Sequence, residues 1–185
     1  MIIVSTDGSC LKNPGGAIGW AWVNHNGPSA SGGAPVGTNQ IAELRAVLEA
    51  IRAHGGDEPL LIESDSQYAI KCASEWIHGW KRKNWRTADG KPVKNLELIQ
   101  GIDSAINSRK GPVRFRWVRG HVGNYYNEQA DQLAGEAARA VRDEIVVEDV
   151  VVEEPIVIEP RKTPVLVGAP AEEMALFPGN DLTLF

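Results

Sequence analysis

Cysteine is scarce in this sequence: of 185 residues only Cys10 and Cys72 carry a thiol. That excludes a disulfide framework and fits a reducing cytosol, so a cytoplasmic location is expected. Neither cysteine lies in a CxxC pair, which excludes a structural zinc site. Long apolar runs are also missing. No stretch approaches the roughly 20 residues that span a bilayer, so a membrane is not an expected partner. The start, Met1-Ile2-Ile3-Val4-Ser5-Thr6-Asp7, has no basic n-region and too short an apolar stretch for a signal peptide. Acidic charge is nearly absent from residues 76–94, which hold six Lys/Arg against the single Asp89. Basic charge is nearly absent from residues 143–185, which hold two Lys/Arg against ten Asp/Glu. Residues 1–142 hold 17 basic and 14 acidic side chains, so the net charge of −5 averages a body of +3 and a tail of −8.

What is there fits one well-cored domain with something left over: 43% of residues are hydrophobic and six are Trp. Residues 2–6 read as a strand, and 19–24 and 29–34 as two more across the turn Asn26-Gly27-Pro28, an antiparallel meander. Residues 39–54 have helical spacing, with Ile41, Leu44, Leu48 and Ile51 on one stripe, stopped by Gly55-Gly56. Residues 60–64 form a short apolar strand, and Ser66 is the expected N-cap of a helix from Gln67 to about Trp76. A helix over 96–108, a strand over 113–117 and an Ala-rich helix over 126–142 complete the order. Strands and helices in that order predict a mixed sheet with helices on its faces.

Four carboxylates stand in distinctive settings. Asp7 ends an apolar strand and precedes Gly8-Ser9-Cys10 and Asn13-Pro14-Gly15-Gly16. Glu43 follows Thr38-Asn39-Gln40 on a helix, Asp65 closes Leu60-Leu61-Ile62-Glu63-Ser64, and Asp131 follows Gly120-His121-Val122-Gly123. Acids at strand ends are costly to cluster unless a positive group joins them. A pair of divalent metal ions is the simplest such group, and paired metals catalyse phosphodiester chemistry. Taken singly, each acid could begin a turn, cap a helix or sit on a solvated face. His121, in a glycine-flanked loop before the helix bearing Asp131, could shuttle a proton or loosen product. His25, His54 and His78 lack such a context and are assigned no chemistry.

Residues 1–142 resemble ribonuclease HI, the bacterial-type ribonuclease H with a basic handle. The resemblance rests on Thr6-Asp7-Gly8-Ser9, Asn13-Pro14-Gly15, Thr38-Asn39 with Glu43-Leu44, and Ser64-Asp65-Ser66-Gln67-Tyr68. It continues through Trp76-Ile77-His78-Gly79-Trp80-Lys81, Trp85-Arg86-Thr87, Lys91-Pro92-Val93-Lys94-Asn95 and Gly120-His121-Val122-Gly123 with Asn127-Glu128 and Ala130-Asp131. It implies the ribonuclease H-like α/β fold: a mixed five-stranded sheet, antiparallel meander plus parallel strands, flanked by helices, with a basic protrusion. It implies endonucleolytic hydrolysis of the RNA strand of RNA–DNA hybrids by a monomer, leaving 5′-phosphate and 3′-hydroxyl ends. Asp7, Glu43, Asp65 and Asp131 would hold two Mg²⁺ ions, with Mn²⁺ able to substitute, about 3.5–4 Å apart. His121 would assist as a fifth catalytic residue.

The same resemblance places the substrate. Trp76, Trp80, Lys81, Arg82, Lys83, Trp85 and Arg86 would form the handle, its cations meeting phosphates of the DNA strand. Asn13, Gln40 and Gln67 beside the acids would read 2′-hydroxyls in the wide minor groove. Thr38 would hold a DNA phosphate, and Asn39 lies with it. The sequence departs from the family pattern at Gln40 and Gly79, where Asn is frequent, and at Val36, where a basic residue is frequent. Asn124-Tyr125-Tyr126 replaces a more usual His-Pro turn near His121.

Residues 143–185 are expected to form an acidic Val/Pro-rich linker and tail, mostly disordered, with strand addition to a sheet edge as the alternative. The chain closes on two similar pentads, Glu173-Met174-Ala175-Leu176-Phe177 and Asp181-Leu182-Thr183-Leu184-Phe185. They resemble the peptide by which bacterial replication proteins dock on the sliding clamp, with Leu182, Leu184 and Phe185 as the docking residues. Two rival functions stay open at this point: a DNA nuclease of the same fold, and a non-catalytic hybrid-binding module.

Overall fold

The computed structural model describes residues 1–148. In chain order the elements are β1 (Ile2–Cys10), β2 (Ile18–Asn24), β3 (Ser29–Ala34), α1 (Asn39–Ala53) and β4 (Leu60–Ser64). There follow α2 (Gln67–Lys71), a π-helical turn (Cys72–Trp76), α3 (Ile77–Arg82), α4 (Leu96–Ser108), β5 (Val113–Trp117) and α5 (Tyr125–Glu148). The five strands lie in the order β3-β2-β1-β4-β5. The meander β1–β2–β3 is antiparallel, and β4 and β5 add to β1 in parallel. The sheet is the mixed one the sequence predicts.

Three boundaries differ from expectation. β1 does not stop at Thr6, because Asp7 through Cys10 go on pairing with Ala21 through Ile18 of β2. The helix from Gln67 passes through the π-helical turn and ends at Arg82 rather than Trp76. α5 passes the expected end at Arg142 and includes Ile145-Val146-Val147-Glu148, four residues read from sequence as linker. Three of the four, Ile145, Val146 and Val147, are β-branched residue types that disfavour helix by a fraction of a kcal/mol each. Extending an existing helix avoids the nucleation cost, so the penalty is outweighed. The remaining tail expectations, including Leu182, Leu184 and Phe185, lie outside the described residues.

Glycines reveal which face of the sheet each helix covers. A Cβ on Gly8 would run into the Ala42–Glu43 peptide of α1, and one on Gly19 would strike the Ala134 carbonyl of α5. Gly19 pairs with Ser9, so Ser5, Asp7 and Ser9 share the α5 face while Val4 and Gly8 share the α1 face. The main core lies on the α1 side, where Val4, Leu60 and Ile62 meet Leu44, Val47, Leu48, Ile51, Ile77, Ile99 and Ile102. Burying each such side chain stabilises the fold by about 1.5–3 kcal/mol. On the other face α5 packs through Ala130, Ala134 and Ala138, all buried, with Gly19 and Gly33 beneath it.

The end of the sheet away from the acids is tied by one arginine. Arg109, just after α4, donates from Nε to the His54 carbonyl (2.6 Å) and from Nη2 to the Glu58 carbonyl (2.9 Å). Its Nη1 donates to the carbonyls of Gly111 (3.0 Å) and Pro112 (3.3 Å). It therefore joins the α1–β4 loop to the entry of β5, where Gly111 runs too close to Asp57 and Glu58 for any side chain. An ammonium group cannot reproduce that fork. Arg109→Lys should therefore cost about 2 kcal/mol of unfolding free energy, read as a lower urea midpoint with an unchanged slope.

Candidate active site

The rung Thr6–Ser64 is the last that joins β1 to β4. Asp7 and Asp65 are the first residues past it, where the two strands part, and a sheet of this kind opens a crevice at the carboxyl ends of its parallel strands. α1 brings the third acid. Thr38 caps the helix, its Oγ1 accepting from the Ile41 amide at 3.2 Å, and Glu43 follows in the second turn. Because Gly8 has no side chain, the Ala42–Glu43 peptide lies directly on β1. One carboxylate oxygen from each of Asp7, Glu43 and Asp65 lies within 4.8 Å of the other two. Local bonds hold the turn after β4: Ser64 Oγ accepts from the Ser66 amide (3.1 Å), Ser66 Oγ accepts from the Ala69 amide (3.2 Å), and the Trp117 indole N–H donates to the Asp65 carbonyl (3.0 Å).

Among the described residues no Lys or Arg pairs with these three acids. Burial, reinforced by Asp65 and Asp131, pushes the Asp7 carboxyl up to about 8, although the Gly8 amide (2.7 Å) pulls the other way. Burial, then repulsion from Asp7, Asp65 and Asp131, pushes Glu43 well above the usual carboxylate range. Asp65 is raised chiefly by burial, with His121 acting against it. Contrast the row one pleat below, Ser5–Glu63–Arg116, aligned across β1, β4 and β5. There the buried Glu63 has the Arg116 guanidinium on Oε1 and the Ser5 hydroxyl on Oε2 at 3.4 Å. The row above has two acids, Asp7 and Asp65, joined by Glu43 from α1, and no Lys or Arg among the described residues pairs with them.

The donor set fits a hard divalent cation. All the converging atoms are carboxylate oxygens, the ligands Mg²⁺ and Mn²⁺ prefer. Glu43 Oε2 is buried and has no hydrogen-bond partner among the described residues, and such an orphan is expensive unless an ion takes it up. Asp131, on α5, is outside the tight trio but repels all three of its members. His121 stands between, its Nδ1 3.9 Å from Asp131 Oδ2, on a residue with φ of 55°.

The predicted substrate residues surround this centre unevenly. Asn13 Oδ1 accepts from the Asn39 amide at 3.2 Å, which joins two of them across the mouth of the site. The Thr38 hydroxyl is engaged in its cap, Gln40 Oε1 is buried without a partner among the described residues, and Gln67 is exposed at the start of α2. In the handle, Trp80 and Trp85 pack against the core while Trp76 is 41% exposed. Lys81 is held by Asp103 of α4 at 2.9 Å, so it meets phosphate only by sharing that partner. Arg86 donates to the Gly90 carbonyl (2.7 Å), and Arg82 and Lys83 have no ion-pair partner among the described residues. Trp76, His78, Trp80, Arg82, Lys83 and Arg86 line a groove of about 520 Å³.

Sequence reading missed two kinds of residue. Gly8 and Gly120 shape the site by having no side chain; a Cβ on Gly120 would collide with Asp65 Oδ2. Gly8 directly after Asp7 and Gly120 directly before His121 were the available signals. Glu63, with Arg116, is the other omission, and an acid inside the apolar run Leu60-Leu61-Ile62 was its signal.

Comparison with known proteins gives the same reading. The RNase H family model matches residues 1–139. A ribonuclease H of Tropheryma whipplei (strain Twist) is 49% identical over 138 residues, covering 74% of this chain and 84% of that protein. A ribonuclease H of Anaeromyxobacter sp. (strain K) is 43% identical over 156 residues, covering 75% of this chain and 80% of its own. Among solved structures, a type 1 RNase H with the type 2 active-site motif superposes with a TM-score of 0.63 at 32% identity, covering 75% of this chain and 72% of that one. Gathered acids, sheet order and relatives agree: the chain belongs to the ribonuclease H family.

Proposed function

We propose that the chain cuts the RNA strand of RNA–DNA hybrids internally, leaving 5′-phosphate and 3′-hydroxyl ends. The observation that carries this reading is the gathering of Asp7, Glu43 and Asp65 within 4.8 Å, with no Lys or Arg among the described residues to pair them. Those three, with Asp131, would hold two Mg²⁺ ions, or Mn²⁺ in their place. When bound, such ions lower the pKa of water and neutralise charge on the phosphate and the leaving oxygen. The chain's own residues do the rest. Asp7, pushed up to about 8, and Glu43, raised by burial and its acidic neighbours, must both be ionised for the site to load. His121, exposed and beside Asp131, takes or returns a proton at the mouth of the site. Arg82, Lys83 and Arg86, with Trp76, grip the DNA strand along the handle groove, and the Thr38–Asn39 turn takes a phosphate. Asn13, Gln40 and Gln67 pair with 2′-hydroxyls and so select RNA.

The proposal includes the tail. A monomeric cytoplasmic nuclease followed by an acidic segment from about residue 143 would reach replicating DNA through Leu182, Leu184 and Phe185 docked on a sliding clamp, the tethering raising local concentration. Deleting 171–185 should abolish co-elution with the clamp and leave hybrid cleavage intact; unchanged co-elution would remove this part.

Labelled RNA–DNA, RNA–RNA and DNA–DNA duplexes offered with Mg²⁺ test the main reading. RNA in the hybrid alone should be cut, and Asp7→Asn should reduce cleavage by about 10³-fold or more, since a centre ligand is lost. Cutting of duplex DNA would select the rival nuclease, and binding without cutting the hybrid-binding module.

The raised carboxyls also set a pH dependence. A carboxyl whose folded pKa lies above its unfolded value of 3.8 costs nothing at low pH and destabilises increasingly as pH rises toward about 8. In metal-free protein, Asp7→Asn should therefore raise the melting temperature by about 4 °C at pH 8 and much less at pH 5. By the same linkage, the Mg²⁺ concentration for half-maximal activity should fall as pH rises from 6 to 9. A half-saturation independent of pH would contradict the protonated resting state.

A further inference from the structure

Asp131 is the acid whose place is least secured. It sits on α5, 48% exposed, while Asp7 lies on β1 and Asp65 directly follows β4. α5 meets the sheet through Ala130, Ala134 and Ala138 over Gly19 and Gly33. Such a surface permits close approach but offers few ridges to stop the helix sliding along its axis or turning about it. Something else must fix the register of its first turns.

Among the described residues, one hydrogen bond joins α5 to a part of the chain outside its own preceding loop. The Tyr126 hydroxyl donates to the His25 carbonyl at 3.0 Å. The two rings also stack, with centroids 3.7 Å apart and planes 13° from parallel. His25 is itself moored in two directions. Its amide donates to the Ile3 carbonyl (3.0 Å), and its Nε2 lies 3.0 Å from Ser5 Oγ and 3.6 Å from Glu63 Oε2. Ser5 and Glu63 pair across β1 and β4 two residues before Asp7, which continues β1, and Asp65, which follows the end of β4. The chain of contacts thus runs from the sheet beneath two acids, through His25 and Tyr126, to the helix that carries the fourth. It also anchors the end of the loop that bears His121.

Resting on the ribonuclease H reading above, we propose that Tyr126 and His25 are positioning residues that set the distance of Asp131 and His121 from the other acids. Neither touches the reacting atoms. Residues that orient metal ligands from outside typically govern affinity or activity by 10–100-fold, so loss of the stack should weaken metal binding and turnover together.

The test compares Tyr126→Leu, which removes ring and hydroxyl, with Tyr126→Phe, which keeps the ring, and with His25→Gln, which removes the stack from the other side. Mn²⁺ affinity is measured by calorimetry on the full chain without nucleic acid, and kcat and KM on the hybrid with Mg²⁺. Tyr126→Leu and His25→Gln should each bind Mn²⁺ about tenfold more weakly and lose kcat with little change in KM. Tyr126→Phe should recover most of both. Should Tyr126→Leu fail to fold, His25→Gln against Tyr126→Phe decides the matter. Variants that melt earlier yet bind Mn²⁺ and turn over like wild type would overturn the proposal and leave the stack a stabilising contact only. If wild type itself fails to cut the hybrid, the parent reading falls, while the Mn²⁺ comparison still judges the positioning claim.

Discussion

Uncompensated negative charge is the constraint around which this fold is arranged. Three acids share a space in which each resists ionisation of the others, and burial deepens that resistance. The protein tolerates the cost because the sheet and α1 are held by contacts far from the acids. The main core of Val4, Leu44, Leu48, Ile62 and Ile102 supplies one such set, and the Arg109 staple another. Glu63 demonstrates that the fold can neutralise a buried acid, since Arg116 reaches it from the neighbouring strand. The acids above it are left for a ligand from outside.

The backbone provides the geometry. Antiparallel pairing carries β1 past the point where β4 leaves it, and the two parallel neighbours diverge at Thr6–Ser64. Glycines then admit other elements: Gly8 lets α1 lie against β1, and Gly120 lets the loop after β5 pass the Asp65 carboxylate. A methyl group at either place would displace an acid or the peptide beside it. The handle follows a different principle, with Trp80 and Trp85 rooted in the core and the cations carried outward.

Much of this was legible in the sequence. Apolar alternation and turn residues placed all five strands, and β4, β5 and α4 fall at the expected boundaries. The four acids were legible because each stands in a recognisable setting. What stayed hidden depended on contacts between distant segments. Nothing local says that β1 pairs on beyond an aspartate, that Lys81 meets Asp103 22 residues later, or that Ile145 to Glu148 stay helical. His25 was set aside for lack of a motif, and only the fold brings it to Ser5, Glu63 and Tyr126.

The parting of the two strands has one more consequence. Asp7 lies within a ladder that continues on its β2 side for three further residues, so its main chain is stiff. Asp65 lies just beyond the end of β4, on a short bend tied by a serine hydroxyl and an indole. The pocket therefore has a fixed jaw and a compliant one. Changes in its width, as cargo arrives and departs, fall on the Asp65 side and leave the sheet unbroken.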